Sequence, residues 1–219
     1  MKRLSYLASF VLAAALLVAF TPRDGSTPDS ASSTASADAT IGEPAPNFTL
    51  QGTDGETYTL SDLQGKMVVL EWLNFGCPYV QKHYGSGNMQ ALQEKYTGQD
   101  VVWLSVVSSA EGKQGYYPPE EMNAKNAEHG GDQTAILMDT SGEVGRMYGA
   151  RTTPHMYIVN PEGTLIYKGG IDDKPTTDED DIATATNYVE MALDAALNGE
   201  EVPVTTTPPY GCSVKYATS

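Results

Sequence analysis

Cysteine is nearly absent from this chain. Cys77 and Cys212 are the only two, so a single disulfide at most can form, and an exported chain with that even count can carry it as a permanent staple. Histidine is as scarce, with three residues, and lone histidines serve in cores and on surfaces more often than as ligands. Positive charge is also in short supply: 13 basic residues stand against 28 acidic ones, a formal net charge of -15. That balance argues against nucleic acid or an anionic membrane as an electrostatic partner and favours solubility. Part of the acidic excess sits in "DDKPTTDEDD" (172 to 181), which reads as a solvated loop without calcium-site spacing. No internal repeat stands out, and 219 residues with 40% hydrophobic content suffice for one well-filled core.

What is present begins with "MKRLSYLASFVLAAALLVAF", where Lys2 and Arg3 precede an apolar stretch in the pattern of an export signal. Residues 1–21 are therefore expected to be a signal peptide or, left uncut, an N-terminal membrane tether, which places the mature domain in the periplasm or another extracytoplasmic space. Residues 22–40, rich in Ser, Thr, Ala and Pro, lack large apolar groups and read as a disordered linker. A folded domain is expected over 41–200, followed by a tail, 201–219, that carries Cys212.

Inside the domain, "NFTLQGTDGETYTLSDL" alternates around a "TDGE" turn and predicts a hairpin. "KMVVLEWLNF" and "DVVWLSVV" read as buried strands, and residues 77–96 as helix interrupted near Gly85 and Gly87. "PPEEMNAKNAEHGG" has proline at the start, acids in the first turn and glycine at the end, the pattern of a helix over 118–129. A strand at "TAILMD", a short helix at "GEVGRMYG" and a hairpin at "HMYIVNPEGTLIYKGG" follow. One long amphipathic helix is expected over "IATATNYVEMALDAALNG", with Ala185, Tyr188, Val189, Ala192, Ala195 and Ala196 on its apolar stripe. The alternation predicts an α/β fold, a mixed central sheet flanked by helices, with an N-terminal β-hairpin and an extended C-terminal tail.

The junction "EWLNFGCPYVQKHY" raises the chemical question. Pro78 fits the first position of a helix, so Cys77 caps or opens it. There a thiol meets unpaired backbone N–H groups and the positive end of the helix dipole, which favour the thiolate and make Cys77 a candidate nucleophile. The plainer alternative is a buried apolar cysteine. Glu71 interrupts an apolar run between Leu70 and Trp72; burial there raises a carboxyl's pKa toward neutrality, although a structural Glu paired to Lys or backbone would look the same.

Together the element order, "VVLEW" leading to Cys77, and "RTTPHMYIVNPEGTLIYKGGID" (151 to 172) resemble the thioredoxin-like superfamily, in its redoxin branch of AhpC/TSA-like, peroxiredoxin-related thiol-disulfide oxidoreductases. The resemblance spans about 41–198. It implies a thioredoxin-like fold, Cys77 as the attacking cysteine, Thr153-Pro154 as a cis peptide whose backbone pairs with substrate, and Glu71 as the buried carboxylate that exchanges a proton with the cysteines. The implied substrate-binding residues are Thr153, Pro154, Pro78 and Asn74; the implied partner is a protein disulfide or thiol, or a peroxide. No cofactor or metal is implied.

Two departures qualify this. The motif is "CPYV", with Val80 where a thioredoxin has its second cysteine, so an intra-motif disulfide cannot form. Asn74 stands three residues before Cys77, where a peroxiredoxin has Thr or Ser. Cys212 is therefore the candidate resolving cysteine: Pro208 and Pro209 keep its tail extended and Gly211 permits close backbone approach. The expected enzyme is an exported oxidoreductase and antioxidant redoxin cycling a Cys77–Cys212 disulfide. The alternative is a non-enzymatic binding module, either a disulfide-stapled scaffold or a copper carrier using Cys77, Cys212 and His155. Lys82 and His83 are expected to add positive charge near the thiolate or to hydrogen-bond the tail.

Overall fold

The computed structural model describes residues 39–217; the expected export signal and nearly all of the expected linker lie outside them. β1 (Thr49–Gly52) and β2 (Thr57–Thr59) form the N-terminal hairpin, in which the Asp54 carboxylate accepts the Glu56 N–H at 3.0 Å and Gly55 takes φ +89°. β3 (Val68–Trp72), β4 (Val102–Val107) and β5 (Ala135–Met138) follow in parallel register. β7 (Met156–Val159) and β8 (Leu165–Gly169) close the sheet as an antiparallel hairpin. The order is β2-β1-β5-β4-β3-β7-β8, so β3, which delivers Cys77, is an inner strand buried along its whole length. This is a thioredoxin-like α/β fold.

Because strand side chains alternate, β3 feeds two cores. Val69 and Leu73 pack under α1 (Pro78–Gly85), α2 (Asn88–Thr97), α3 (Pro119–His129) and α5 (Tyr188–Leu197). Val68, Leu70 and Trp72 face α4 (Glu143–Tyr148) and Phe48 on the other side. Gly87, at φ +77°, separates α1 from α2, as the glycines of that stretch suggest. α3 starts with Pro119 in its first turn and stops at Gly130, φ +66°, within a residue of expectation.

The last helix differs from expectation. Residues 179–184 form a 3-10 turn and α5 begins only at Tyr188. Asn187 causes the break: its side chain accepts the Glu190 N–H at 3.0 Å as an N-cap while its backbone bridges Asp172. Ala185 is consequently off the helix, and Leu193, outside the expected stripe, is fully buried. The acidic loop differs too, since Asp172 is buried rather than solvated. Ala39, assigned to the linker, is buried, with its carbonyl accepting from Lys168 Nζ at 2.7 Å.

Candidate active site

β3 leaves the sheet at Trp72, and a tight turn carries the chain to Cys77. Asn74 shapes that turn: its carbonyl accepts the Cys77 N–H at 2.9 Å, its side-chain oxygen accepts the Gly76 N–H at 2.9 Å, and its amide donates to the Gln114 carbonyl at 3.4 Å. Both ends of this buried amide are thus engaged in holding the loop. Cys77 is the N-cap of α1, with φ -90° and ψ 123°, and Pro78 is the first helical residue, where a missing N–H costs nothing.

The Cys77 sulfur is fully buried and donates to the Thr153 carbonyl at 3.0 Å. The Thr153-Pro154 peptide is cis. On its far side, β6 (Thr152–Thr153) pairs antiparallel with β9 (Cys212–Ser213), with Thr153 opposite Cys212. Residue 153 therefore lies between the two cysteines and brings them together. They are free thiols, so the Cys77–Cys212 disulfide expected from the sequence is not a bond of this structure.

Burial alone would push the Cys77 thiol up. The Cys212 thiol, the Val80 N–H, Thr153 and the Cys212 N–H outweigh it, and the net shift is downward. Cys212 moves the other way, to about 11, through burial and through proximity to the Cys77 sulfur. Cys77 is thus the more acidic thiol of the pair and Cys212 the less acidic, the asymmetry required of a nucleophile and its resolving partner. Thr153 Oγ1 is buried with no protein partner in hydrogen-bonding geometry, a spare donor beside the sulfur.

The tail reaches this place along a series of fixed contacts. Thr207 Oγ1 accepts the Gly170 N–H at 3.0 Å and meets the Tyr167 hydroxyl at 2.7 Å. Tyr210 donates to Asp172, and His83 Nε2 lies 3.1 Å from its hydroxyl. Gly211, at φ +134°, passes so close that a Cβ there would collide with the Thr153 carbonyl. Beyond Cys212, the Val214 N–H donates to Arg151 at 3.0 Å and the Tyr216 hydroxyl to Ala150 at 2.7 Å.

His83 therefore hydrogen-bonds the tail, one of the two roles expected of it. Lys82 makes no hydrogen bond to the tail but lies 5.8 Å from the Tyr210 ring centre; both it and Asp172 are buried, 3.4 Å apart, and Lys82 also donates to the Lys174 carbonyl at 2.7 Å. Sequence reasoning missed Asp172 and Tyr210, which fasten the tail two residues before Cys212. The aromatic in "PPYGC" was the available signal, since a large aromatic two residues before the tail's cysteine marks an anchor.

Burial holds the neutral form of His83 and depresses its pKa to about 4, with Asp172 opposing the shift and Lys82 adding to it. An unfolded histidine titrates near 6.5. Above that pH the folded and unfolded rings are both neutral and this contribution to stability is fully present. As pH falls from about 6.5 toward about 4 the unfolded chain takes up a proton that the folded chain refuses, and the contribution is lost, on the order of 3 kcal/mol at most. Chemical denaturation of wild type and His83→Gln at pH 7 and pH 4 checks this. The variant should lose less stability between the two pH values than wild type; parallel losses would contradict the assignment.

Glu71 is buried on the α1 side of the sheet. Its carboxylate accepts from Trp103 Nε1 at 2.9 Å, Ser105 Oγ at 3.0 Å, Tyr84 at 3.2 Å and Gln93 at 3.3 Å. Burial nevertheless lifts its pKa above the ordinary range, the four donors offsetting only part of the shift. Its partners are thus neither the lysine nor the backbone of the structural alternative. His155, offered as a copper ligand, accepts the Arg151 N–H on Nδ1 at 3.4 Å and packs on Tyr157. Among the described residues no group of three or more His, Cys, Asp or Glu side chains is placed to hold a metal ion, so the ligand set of the copper reading is not assembled.

Comparison with known proteins bears on the family and the fold. The model of the AhpC/TSA family matches residues 41–168, which include Cys77 and Pro154 and end before the tail. A thiol-disulfide oxidoreductase ResA of Bacillus subtilis is 27% identical over 125 residues, covering 57% of this chain and 64% of that protein. The chain thus spans slightly under two thirds of that relative. A second ResA, from Halalkalibacterium halodurans, is 27% identical over 135 residues, 61% of this chain and 71% of that one. Among solved structures, an uncharacterized conserved protein of Geobacillus kaustophilus aligns with TM-score 0.70 and 27% identity over 82% of this chain and 94% of its own. A hypothetical protein of Sinorhizobium meliloti aligns with TM-score 0.69 and 23% identity over 84% and 98%.

Proposed function

The chain belongs to the AhpC/TSA family, and from that premise we propose that it is a thiol-disulfide oxidoreductase in which Cys77 is the nucleophile and Cys212 the resolving thiol. The observation that carries this reading is the pairing of β9 with β6, which seats Cys212 opposite Thr153 while Cys77 donates to the same residue's carbonyl. The Cys77 thiolate attacks one sulfur of a substrate disulfide and releases the other as a thiolate that takes up a proton. Cys212 then gives up its proton, attacks Cys77 Sγ and expels the substrate's remaining thiol. Two electrons pass to the substrate and the protein is left with a Cys77–Cys212 disulfide. With a peroxide, Cys77 becomes a sulfenic acid as an alcohol or water leaves, and Cys212 condenses with it, releasing water.

Pro78 sets the helix start behind the nucleophile, and Asn74 holds the loop that aims it. Thr153 and Pro154 present backbone to a substrate once the tail vacates that edge. Glu71, with its raised pKa, serves as the buried proton reservoir. Protein thiols and disulfides are the preferred substrates, because the edge that Cys212 occupies accepts an extended chain by strand addition. The basic and apolar leader in residues 1–20 supports export, with the domain working outside the cytoplasm.

Cys212→Ser tests the assignment. Mixed with a cysteine-containing peptide disulfide, the variant should retain the peptide on Cys77 in a one-to-one adduct visible by intact mass, whereas wild type should release it. Equal release from both proteins would overturn the resolving role.

A further inference from the structure

A pocket is lined by residues of the segment 146–151, which leads toward the cis-proline loop, by His155 and Tyr157 beyond it, and by the tail, and Cys77 is not part of its wall. Its volume is about 500 Å³, within the range of small-ligand sites. Arg146, Arg151 and Lys168 line it together with His155, and no aspartate or glutamate contributes to its wall. In a chain with 28 acidic residues and 13 basic ones, three cations around one cavity without a carboxylate run against composition. Elsewhere four lysines are paired with carboxylates, Lys66 with Asp100, Lys82 with Asp172, Lys95 with Glu190 and Asp194, and Lys125 with Glu128, while Lys113, Lys174 and Lys215 enter no salt bridge among the described residues.

The pocket's cations meet neutral groups instead. Arg146 donates to the Ser141 and Ala217 carbonyls at 2.8 and 3.1 Å and stacks over Tyr216 at 4.6 Å. Lys168 donates to the Ala39 carbonyl at 2.7 Å. Arg151 enters no salt bridge among the described residues and is exposed. Arg151 and Lys168 both act on the His155 ring, which is buried, so the positive charge is concentrated at one wall. His155 lines the same wall, its Nδ1 3.4 Å from the Arg151 nitrogen and 3.2 Å from the Tyr157 hydroxyl. Like charges gathered in a partly closed space repel one another, and the arrangement is relieved by an anion that takes several of their N–H groups.

We propose that this pocket binds a small polyanion, a molecule carrying at least two phosphate or carboxylate negative charges. Thr206, Thr207, Pro209 and Tyr216 from the tail form part of the same wall, so the bound anion bridges the tail and the segment leading into the cis-proline loop. This does not depend on the redox chemistry, and Arg151 and Lys168 side chains have no part in that chemistry.

Calorimetric titration of the full chain with inorganic phosphate in one arm and citrate in the other, at low and at physiological salt, tests the site. Saturable one-to-one binding by at least one probe is expected, and the tighter arm identifies phosphate or carboxylate as the preferred chemistry. Arg151→Gln, and Arg151→Gln combined with Lys168→Gln, should weaken binding at least tenfold while Cys77 and Cys212 keep their redox behaviour. The single exchange, at an exposed side chain, remains informative if the double variant folds poorly. With a net charge of -15 the rest of the surface repels such probes. Absence of saturable binding by both, or unchanged affinity in the folded variants, overturns the proposal.

Discussion

Replacing Gly211 with Val is expected to unlatch the tail and open Cys77 to solvent. Gly211 has φ +134° and lies against the Thr153 carbonyl carbon and oxygen and the Pro154 nitrogen. A side chain there is strained in its backbone and has no room, because its neighbours are backbone atoms that cannot swing aside. Each of those two effects costs about 1 to 3 kcal/mol. The sheet core does not depend on β9, so the strain is relieved by lifting two residues of strand rather than by unfolding. The Cys77 thiol, now fully buried, should then react with an alkylating reagent roughly 100-fold faster, the factor corresponding to about 3 kcal/mol of lost docking. Circular dichroism should stay that of wild type. Alkylation at the wild-type rate would mean that the tail does not guard the site.

Much of this arrangement is legible in the sequence because the signals involved are local. Pro78 after a buried-strand run announces the helix start, and the N-cap position of Cys77 follows from it. Gly211 before Cys212 announces a close approach, which the structure places at Thr153. The alternating and unbroken apolar runs give seven strands in a mixed sheet because burial on one or two faces leaves a direct mark on residue order.

What escapes the sequence is long-range and polar. Asp172 looks like one more acid in an acidic loop, and only the folded chain shows that Lys82 and Tyr210 converge on it from α1 and the tail. Glu71 is conspicuous in its strand, yet its donors come from β4, α1 and α2, which no spacing rule connects. The break before α5 rests on Asn187, whose cap on the Glu190 N–H is a local signal that the apolar stripe through Ala185 obscured, while its bridge to Asp172 is tertiary. The cationic pocket assembles residues from α4, the segment before the cis-proline, β8 and the tail, and composition alone conceals it under a large net negative charge.

The second large effect concerns the two cysteines. A bond that joins Cys77 to Cys212 has a good leaving group on the Cys77 side, since that thiolate is stabilised by the Val80 N–H, the Cys212 N–H and Thr153. Such a disulfide is easier to reduce than a structural one, whose potential typically lies below about -300 mV. Cys77→Ser should remove both the bond and all turnover, leaving Cys212 as a weakly acidic thiol raised by burial. The most direct measurement is therefore a free-thiol count by mass across a glutathione redox titration of the folded wild-type protein. The account predicts a transition between two free thiols and none, with a midpoint above about -300 mV and no unfolding. A bond that opens only when the protein unfolds, or two thiols that never join, would contradict it.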